Sequence, residues 1–388
     1  MRLRAVIGAN YGDEGKGLVT DYLASCDIGK GKKVIVVCNN GGAQRGHTVV
    51  RNDGRRHVFH HFGSGTLAGA SSYLSPHFIV APMAFMMELK QLRETTPVYV
   101  DYHCRVTTPY ELIMNLILEE SRGNGRHGSC GMGIWETVKG YRDNDEYLTY
   151  GQISNEYQTT SIESELGYRR ETFFKNLEKY IMDGEAKEEV ANRWVNVLND
   201  FPMQNYINAF KSMKLICKTV NGYLFLKNYD SVIVENGQGL LLNSDKNNVH
   251  TTPSYTGMTN IAKIEAVCGV ECEPVYVTRT YLTRHGAGDF DEVPMAELGI
   301  TQADKTNQPN PHQGTLRYGI LQPDVLKRIE NDAGKRTKSL FITHANEVQI
   351  PSFLAKADGF EKIFVSSSER SCEQVEVLGR IRNGNEKC

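Results

Sequence analysis

Asp13 and Lys16 stand inside a glycine-rich string, Gly8-Ala9-Asn10-Tyr11-Gly12-Asp13-Glu14-Gly15-Lys16-Gly17, that directly follows the apolar run Ala5-Val6-Ile7. Glycines let backbone N–H groups turn toward a polyphosphate, and a lysine adds a point charge, so the string reads as a phosphate cradle at a strand end. A carboxylate inside an anion cradle costs Coulomb energy unless it holds a metal or handles a proton. Asp13 therefore points to chemistry beyond binding. The spacing is not that of the common P-loop, because the fifth residue before Gly15 is Asn10 rather than glycine. A second glycine-rich loop, Asn39 to Thr48, contains Gln44, Arg45, Gly46 and His47. Two unlike titratable groups at one site suit acid–base work, with Asp13 as base or metal ligand and His47 as general acid. Asp21, on the helix expected over Leu18 to Leu23, reads either as an orienting partner for His47 or as a solvated helix acid.

Two further loops carry polar groups suited to a nucleotide. Glu235-Asn236-Gly237-Gln238-Gly239 follows the apolar run Ser231 to Val234, and Gln238 offers both a donor and an acceptor. Gly128-Ser129-Cys130-Gly131-Met132-Gly133 has hydroxyl and N–H groups suited to a monophosphate. Either could equally be a tight turn with solvated side chains.

These loops need a frame that presents strand ends together. Lys33 to Cys38 is a continuous apolar strand of the kind a parallel sheet buries on both faces. Further candidate strands are Phe78 to Val80, Val98 to Val100, Ser231 to Val234, Val275 to Thr278, Ser339 to Thr343 and Lys362 to Val365. Most run straight into polar or glycine-rich residues, the layout of an α/β sheet that binds ligands outside the carboxyl ends of its strands. Residues 157–228 are helical in pattern and poor in glycine, a helical excursion packed on the sheet. With no linker and no repeat, residues 1–388 read as one domain. An apolar fraction of 40% and 36 glycines fit a loop-rich α/β enzyme. A net charge of −2 gives no support to nucleic-acid or membrane binding, and no apolar run is long enough to span a bilayer. Nine cysteines without a CxxC pair argue against zinc and fit reduced, mostly buried thiols in a cytoplasmic protein.

Taken in order, the loops resemble the adenylosuccinate synthetase family over about residues 3–370. The first matches that family's G-D-E-G-K-G, Gly41 to Thr48 its G-G-x-N-A-G-H-T, and Glu235 to Leu242 its E-G-A-Q-G-x-L-L-D. Tyr281 to Gly288 is similar to S-T-R-V-G-A-G, and His60 to Gly65 to H-x-x-P-S-G. The resemblance implies a P-loop-like nucleotide-binding fold with a large, mainly parallel central sheet, flanking helices and a helical insertion. It implies a ligase that phosphorylates the 6-oxygen of a purine monophosphate, whose phosphate L-aspartate then displaces. Asp13 would take the N1 proton and, with the Gly46 carbonyl, ligate Mg²⁺; His47 would stabilise charge on the transferring group. Asn10, Gly12, Gly15, Lys16, Gly17, Asn346 and Ser366 would surround the nucleoside triphosphate. Gln44, Ser129, Cys130, Gln238 and Thr252 would meet the purine monophosphate, and Gly314, Thr315 and Arg317 the aspartate. Arg142 would reach a neighbouring subunit's substrate phosphate, which implies a homodimer.

Departures from the motifs refine this. Gln44 and Arg45 replace the usual asparagine and alanine, and only Arg317 remains of an arginine run in the aspartate loop. The guanine-reading T-K-x-D becomes Thr343-His344-Ala345-Asn346. Guanine presents two adjacent donors that one carboxylate accepts together; an asparagine amide instead matches adenine's donor and acceptor. ATP or dATP is the expected phosphate donor. Ser129 to Thr137 and Gln313 to Gly319 look like the phage branch of the family, which aminates dGMP; the location would then be the host cytoplasm. Retention of Asp13 keeps the ordinary substrates, IMP with GTP, as the alternative. A nucleotide-binding protein without catalysis is the remaining one.

Overall fold

The structure, a computed structural model, describes residues 1–92, 96–144, 147–153, 161–245, 248, 250–302, 304, 306–307, 309 and 313–378, without the side chains of 140–144. The chain begins with strand β1 (Arg2–Gly8), six of whose seven residues are buried, and helix α1 (Lys16–Gly29). Gly15 caps α1 at φ 91°, a left-handed conformation that favours glycine and lets the chain turn from loop to helix. α1 runs further than the expected Leu18 to Leu23, and Thr20 and Asp21 on it are fully buried with Val19 and Ala24. Strand β2 (Val34–Cys38) follows, then the hairpin β3 (His47–Val50) and β4 (Arg56–Phe59) that lies over α1.

Strand β5 (Ser71–Leu74) has a sequence, Ser-Ser-Tyr-Leu, too polar at its start to announce itself, yet all four residues are buried. The expected strand at Phe78 to Val80 is the two-residue β6 (Ile79–Val80), which pairs with β8 (Arg105–Val106) outside the main sheet. Between them come α2 (Pro82–Gln91) and β7 (Val98–Asp101). α3 (Pro109–Ser121) starts on a capping box in which Thr108 and Glu111 satisfy each other's backbone N–H groups. α4 (Ile134–Asn144) leads to α5 (Ile162–Met182), α6 (Glu188–Asp200) and α7 (Met203–Ile216). Of the expected excursion, 157–160 lie outside the described residues; its α-helices run to Ile216, β9 (Lys218–Val220) then returns to pair with β7, and one 3₁₀ stretch covers Leu224–Asn228. α5 and α6 pack on α3, and α7 packs on α2, so the excursion is a second helical layer over the one that covers the sheet.

The chain continues through β10 (Ser231–Gly239), α8 (Ala262–Cys268), β11 (Glu273–Arg279), β12 (Leu282–Arg284), β13 (Arg317–Gly319), α9 (Asp324–Ala333), β14 (Ser339–Thr343), α10 (Ser352–Ala355), β15 (Ile363–Ser366) and β16 (Val375–Leu378). Ten strands form one sheet in the order β16-β15-β14-β11-β1-β10-β2-β5-β7-β9, parallel except for β16. The mixed α/β architecture with a large, mostly parallel sheet and flanking helices is the one the motifs implied. Register does the rest. Val6 sits opposite Glu235, Glu235 opposite Cys38, and Arg279 opposite Thr343. The loops leaving β1, β2, β10, β11 and β14 therefore meet at one rim. Among the cysteines, Cys38, Cys104, Cys217, Cys268 and Cys272 are buried free thiols, whereas Cys26 is disulfide-bonded, against the expectation of reduced thiols.

Candidate active site

A cavity of about 460 Å³ opens at that rim. Gly12, Asp13, Gly15, Lys16, Gly17, Gly46, His47, Arg279, His344 and Asn346 are among its lining residues. The two groups singled out for chemistry, Asp13 and His47, thus share one space. Gly17 is what allows it: a Cβ there would lie 2.8 Å from the Thr48 carbonyl oxygen, so only glycine lets α1 approach β3 this closely.

His47 is 5% exposed, and its Nδ1 lies 2.9 Å from Oε1 of the fully buried Glu235. The pair is close but not aligned as a full hydrogen bond, and His47 Nε2 is buried with no partner. An orphaned ring nitrogen at a cavity wall asks for a ligand. Burial pulls the imidazole below its ordinary range against the opposing pull of Glu235, which leaves the ring neutral near pH 7. Burial alone would raise the Glu235 carboxyl, but its neighbours His47 and Arg45 draw it below its ordinary range. With His47 neutral, the Arg45 guanidinium is the charge that persists.

Asp21 does not serve His47 and is not solvated either. It is fully buried, its carboxylate accepts from Arg51 Nη1 at 3.0 and 3.1 Å, and it also accepts from the Ser371 hydroxyl. Glu235, rather than Asp21, is the carboxylate that lies beside His47. A carboxylate at the end of an otherwise apolar strand was the available signal.

The first loop is arranged around Glu14 rather than around an open set of amides. Glu14 Oε1 accepts the N–H of Asn10 at 2.9 Å and of Gly12 at 2.8 Å, and Oε2 lies 3.2 Å from Lys16 Nζ. Lys16 also donates to the Gly12 carbonyl. The Asn10 side chain ties the loop to Thr278 and Arg328, each at 3.0 Å. Of the residues expected around the triphosphate, Gly12, Gly15, Lys16, Gly17 and Asn346 line the cavity, while Asn10 and Ser366 do not.

At the far end, His344 adopts a left-handed φ of 58° and its Nδ1 lies 2.9 Å from Thr343 Oγ1. Thr343 in turn donates to the Glu14 carbonyl at 2.7 Å, which couples the Asn346 turn to the first loop. Arg279 was not anticipated. It is 5% exposed and donates from Nε to the Asp13 carbonyl at 2.5 Å, from Nη1 to Tyr281 at 2.9 Å and from Nη2 to Asp304 at 2.9 Å. A charged residue ending the apolar strand β11 was the only hint.

Divalent metal is the group the chemistry implies. Asp13 and Gly46 line the same cavity, and a carboxylate with a backbone carbonyl is an all-oxygen pair that suits Mg²⁺, which takes few protein ligands and completes its shell with phosphates and water. Among the described residues, no three His, Cys, Asp or Glu side chains cluster as a preformed metal site.

The residues expected at the purine monophosphate lie outside this cavity. In the loop before α4, the amides of Gly128 and Ser129 donate to Glu119 at 3.1 and 3.2 Å, and the Ser129 hydroxyl to Asn115 at 3.2 Å. Those N–H groups thus hold the loop rather than face outward. The Cys130 thiol is pushed up to about 11 by burial, so it stays protonated. Gly128 packs against the 286–287 backbone, where a Cβ would meet Ala287 N at 2.7 Å. Gln44 Oε1 is buried without a partner; Gln238 Oε1 lies beside Gly12; Thr252 Oγ1 is 3.3 Å from Ser254 Oγ. Gly314 and Thr315 are exposed, just before β13. Arg317 donates to the carbonyls of Gly288 at 3.1 Å and Gly286 at 2.7 Å, so its guanidinium braces that loop rather than standing open. Arg142 is on α4, and its side chain lies outside the described residues.

A sequence profile described as adenylosuccinate synthetase matches residues 5–308. The chain belongs to the adenylosuccinate synthetase family. Adenylosuccinate synthetase of Borrelia recurrentis (strain A1) is 24% identical over 302 residues, covering 75% of this chain and 64% of the relative. That of Acaryochloris marina (strain MBIC 11017) is 29% identical over 315 residues, covering 77% and 64%. The chain thus spans just under two-thirds of the length of these family members. Among solved structures, cyanophage S-2L succinoaminodeoxyadenylate synthetase (PurZ), bound to dGMP and dATP as an energy donor, superposes with a TM-score of 0.63 at 16% identity, over 98% of this chain and 96% of that one. Fully ligated adenylosuccinate synthetase from Plasmodium falciparum gives 0.63 at 20% identity, over 94% and 80%. Both share the family fold.

Proposed function

We propose that this chain is a carbon–nitrogen ligase that couples L-aspartate to the 6-position of a purine nucleoside monophosphate, with dGMP as acceptor and ATP or dATP as phosphate donor. The observation that carries the reading is the meeting of Asp13 and His47 in one cavity, with Glu235 behind the histidine. A phosphate-binding protein without chemistry needs neither group.

In the reaction, the Asp13 carboxylate takes the N1 proton of the purine, and the electron pair released makes the 6-oxygen a nucleophile. That oxygen attacks the γ-phosphorus, and the nucleoside diphosphate leaves with the bond pair. When the negative triphosphate enters, it favours a proton on His47 Nε2, with Glu235 balancing the charge from behind. His47 then donates to the transferring phosphoryl group and holds charge on the 6-oxygen. The aspartate amine next attacks C6, phosphate departs with the C–O bond pair, and the proton lost by the amine passes to the departing phosphate. Lys16 and the Gly15 and Gly17 amides hold the donor's phosphates. Mg²⁺, held by Asp13 and the Gly46 carbonyl, would neutralise charge on those phosphates.

Asn346 at the base end supports adenine, and the dGMP reading rests on the phage-like strings at Ser129 to Thr137 and Gln313 to Gly319. The phage PurZ neighbour, which binds dGMP and dATP, agrees with both. Membership of the family keeps a second reading, the reaction of IMP with GTP that the motif resemblance implies. The working form is a homodimer of single-domain chains in the cytoplasm; among the described residues no helix is long and apolar enough to cross a membrane. Aspartate-dependent phosphate release from ATP in the presence of Mg²⁺ and dGMP tests the reading. Release that does not depend on aspartate would overturn it.

A further inference from the structure

We propose that Arg45 is a positioning residue that fixes Glu235 and, through it, the ring of His47. The inference rests on the ligase reading only for its kinetic consequence; the placement itself stands on geometry. Arg45 is 1% exposed. Its Nη1 lies 3.2 Å from Glu235 Oε2, while His47 Nδ1 lies 2.9 Å from the other oxygen of the same carboxylate. The remaining edges of the guanidinium are committed as well: Nε donates to the His60 carbonyl at 2.8 Å and Nη2 to the Phe62 carbonyl at 2.7 Å. That carbonyl pair is itself immobilised, because the N–H groups of His60 and His61 donate to the buried Glu88 at 3.0 and 2.7 Å.

A chain of fixed groups therefore runs from Glu88 on α2, through the 60–62 backbone and Arg45, to Glu235 and His47. Glu88, His61, Phe62, Arg45, Glu235 and His47 are all nearly or fully buried, and only His60 is partly open to solvent. A neutral histidine has two tautomers, and the group facing one nitrogen selects between them. Glu235 beside Nδ1 selects the Nδ1–H form and turns the unpartnered Nε2 away from the carboxylate. Glu235 can do this only while it keeps its charge and orientation, and the flat, three-sided guanidinium supplies both. Lysine would supply a charge at one point without the fork. The motif this loop resembles carries alanine here, so the brace belongs to this chain's own sequence.

The test uses the full chain with Arg45→Lys, Glu235→Gln and the double substitution, each checked for a cooperative thermal transition. Nitrogen-15 spectra of histidine-labelled protein, without nucleotide, report the His47 tautomer, with His47→Asn giving the assignment. We expect a single Nδ1–H tautomer in the unsubstituted chain and a tautomer mixture in Arg45→Lys. In ligation assays Arg45→Lys lowers kcat roughly 10–100-fold, the range seen when a group orienting a working histidine is lost. Both nucleotide KM values change by less than about twofold, as expected when ground-state binding is untouched. Added to Glu235→Gln, it has no further effect, because both act through one path. The proposal is overturned if Arg45→Lys leaves tautomer and kcat unchanged, or if its cost is equal with and without Glu235→Gln. That last result would make Arg45 only an anchor for the 60–62 loop. An unsubstituted chain that ligates no purine monophosphate would refute the ligase reading, and the histidine spectra would still decide the placement. If Arg45→Lys does not fold, Arg45→Met, of similar volume and no charge, gives the same comparison.

Discussion

His47 Nδ1 lies 2.9 Å from Glu235 Oε1, and neither residue is more than 5% exposed. The carboxylate reaches the histidine from β10 because register sets Glu235 beside Cys38, at the strand end from which the His47 loop departs. Removing its charge while keeping its shape isolates the effect. Glu235→Gln is expected to lower kcat roughly 10–100-fold with little change in nucleotide affinity, the usual cost of losing a group that orients a working histidine. Steady-state kinetics beside equilibrium nucleotide titration check this, and a loss in affinity alone would count against it.

Asp13→Ala removes the proposed base. Positioned acid–base groups contribute about 10²–10⁴-fold to rate, so kcat should fall within that range. ATP binding, which the proposal assigns to Lys16 and the glycine amides, should persist within a few-fold when measured by calorimetry without metal. Turnover that survives the substitution would remove Asp13 from the chemistry.

Which parts were readable in the sequence follows from physics. Apolar runs such as Val34 to Cys38 and Ser339 to Thr343 announce strands because a parallel sheet buries both faces, and their glycine-rich sequels announce ligand loops. Asp13 and His47 were legible because each is out of place in its loop. Strand β5 was not, since Ser71 and Ser72 acquire their burial only from β2 and β7 on either side. Asp21 was misread because nothing local reveals that Arg51 and Ser371 close over it. The outward-facing role given to the Ser129 loop missed Glu119, which turns its amides inward from a helix ten residues earlier. The Arg45–Glu235–His47 arrangement spans 190 residues and exists only through sheet order.

Asn346 should decide the donor base. Asn346→Asp restores an acceptor pair for guanine and leaves adenine's acceptor facing a carboxylate. A mismatched buried hydrogen bond costs about 1–3 kcal/mol, which corresponds to about 5–150-fold. The GTP/ATP ratio of kcat/KM should rise by that factor. A ratio that does not move would place base recognition elsewhere.

The buried histidines and the Arg279–Asp304 pair set the response to acid. Burial holds His61 and His344 below the ordinary 6.5, so in the unfolded chain they bind protons that the folded chain refuses. Their contribution is present above pH 6.5 and is lost as pH falls below it. Burial alone would raise the Asp304 carboxyl, but the Arg279 guanidinium holds it well below the ordinary 3.8. Its contribution is present above that value and is lost as pH falls further. Urea midpoints should decline from pH 7 to 5 and again below pH 4. A midpoint constant across the first interval would mean that these histidines are charged in the folded state.

The acceptor is the centre of the account, and one competition assay addresses it. Purified chain with Mg²⁺, ATP and L-aspartate is given equal dGMP and IMP, and the succinylated products are separated by mass. The product carrying the 2-amino group and deoxyribose is expected to form first and to dominate. Predominance of the IMP-derived product would contradict the dGMP reading.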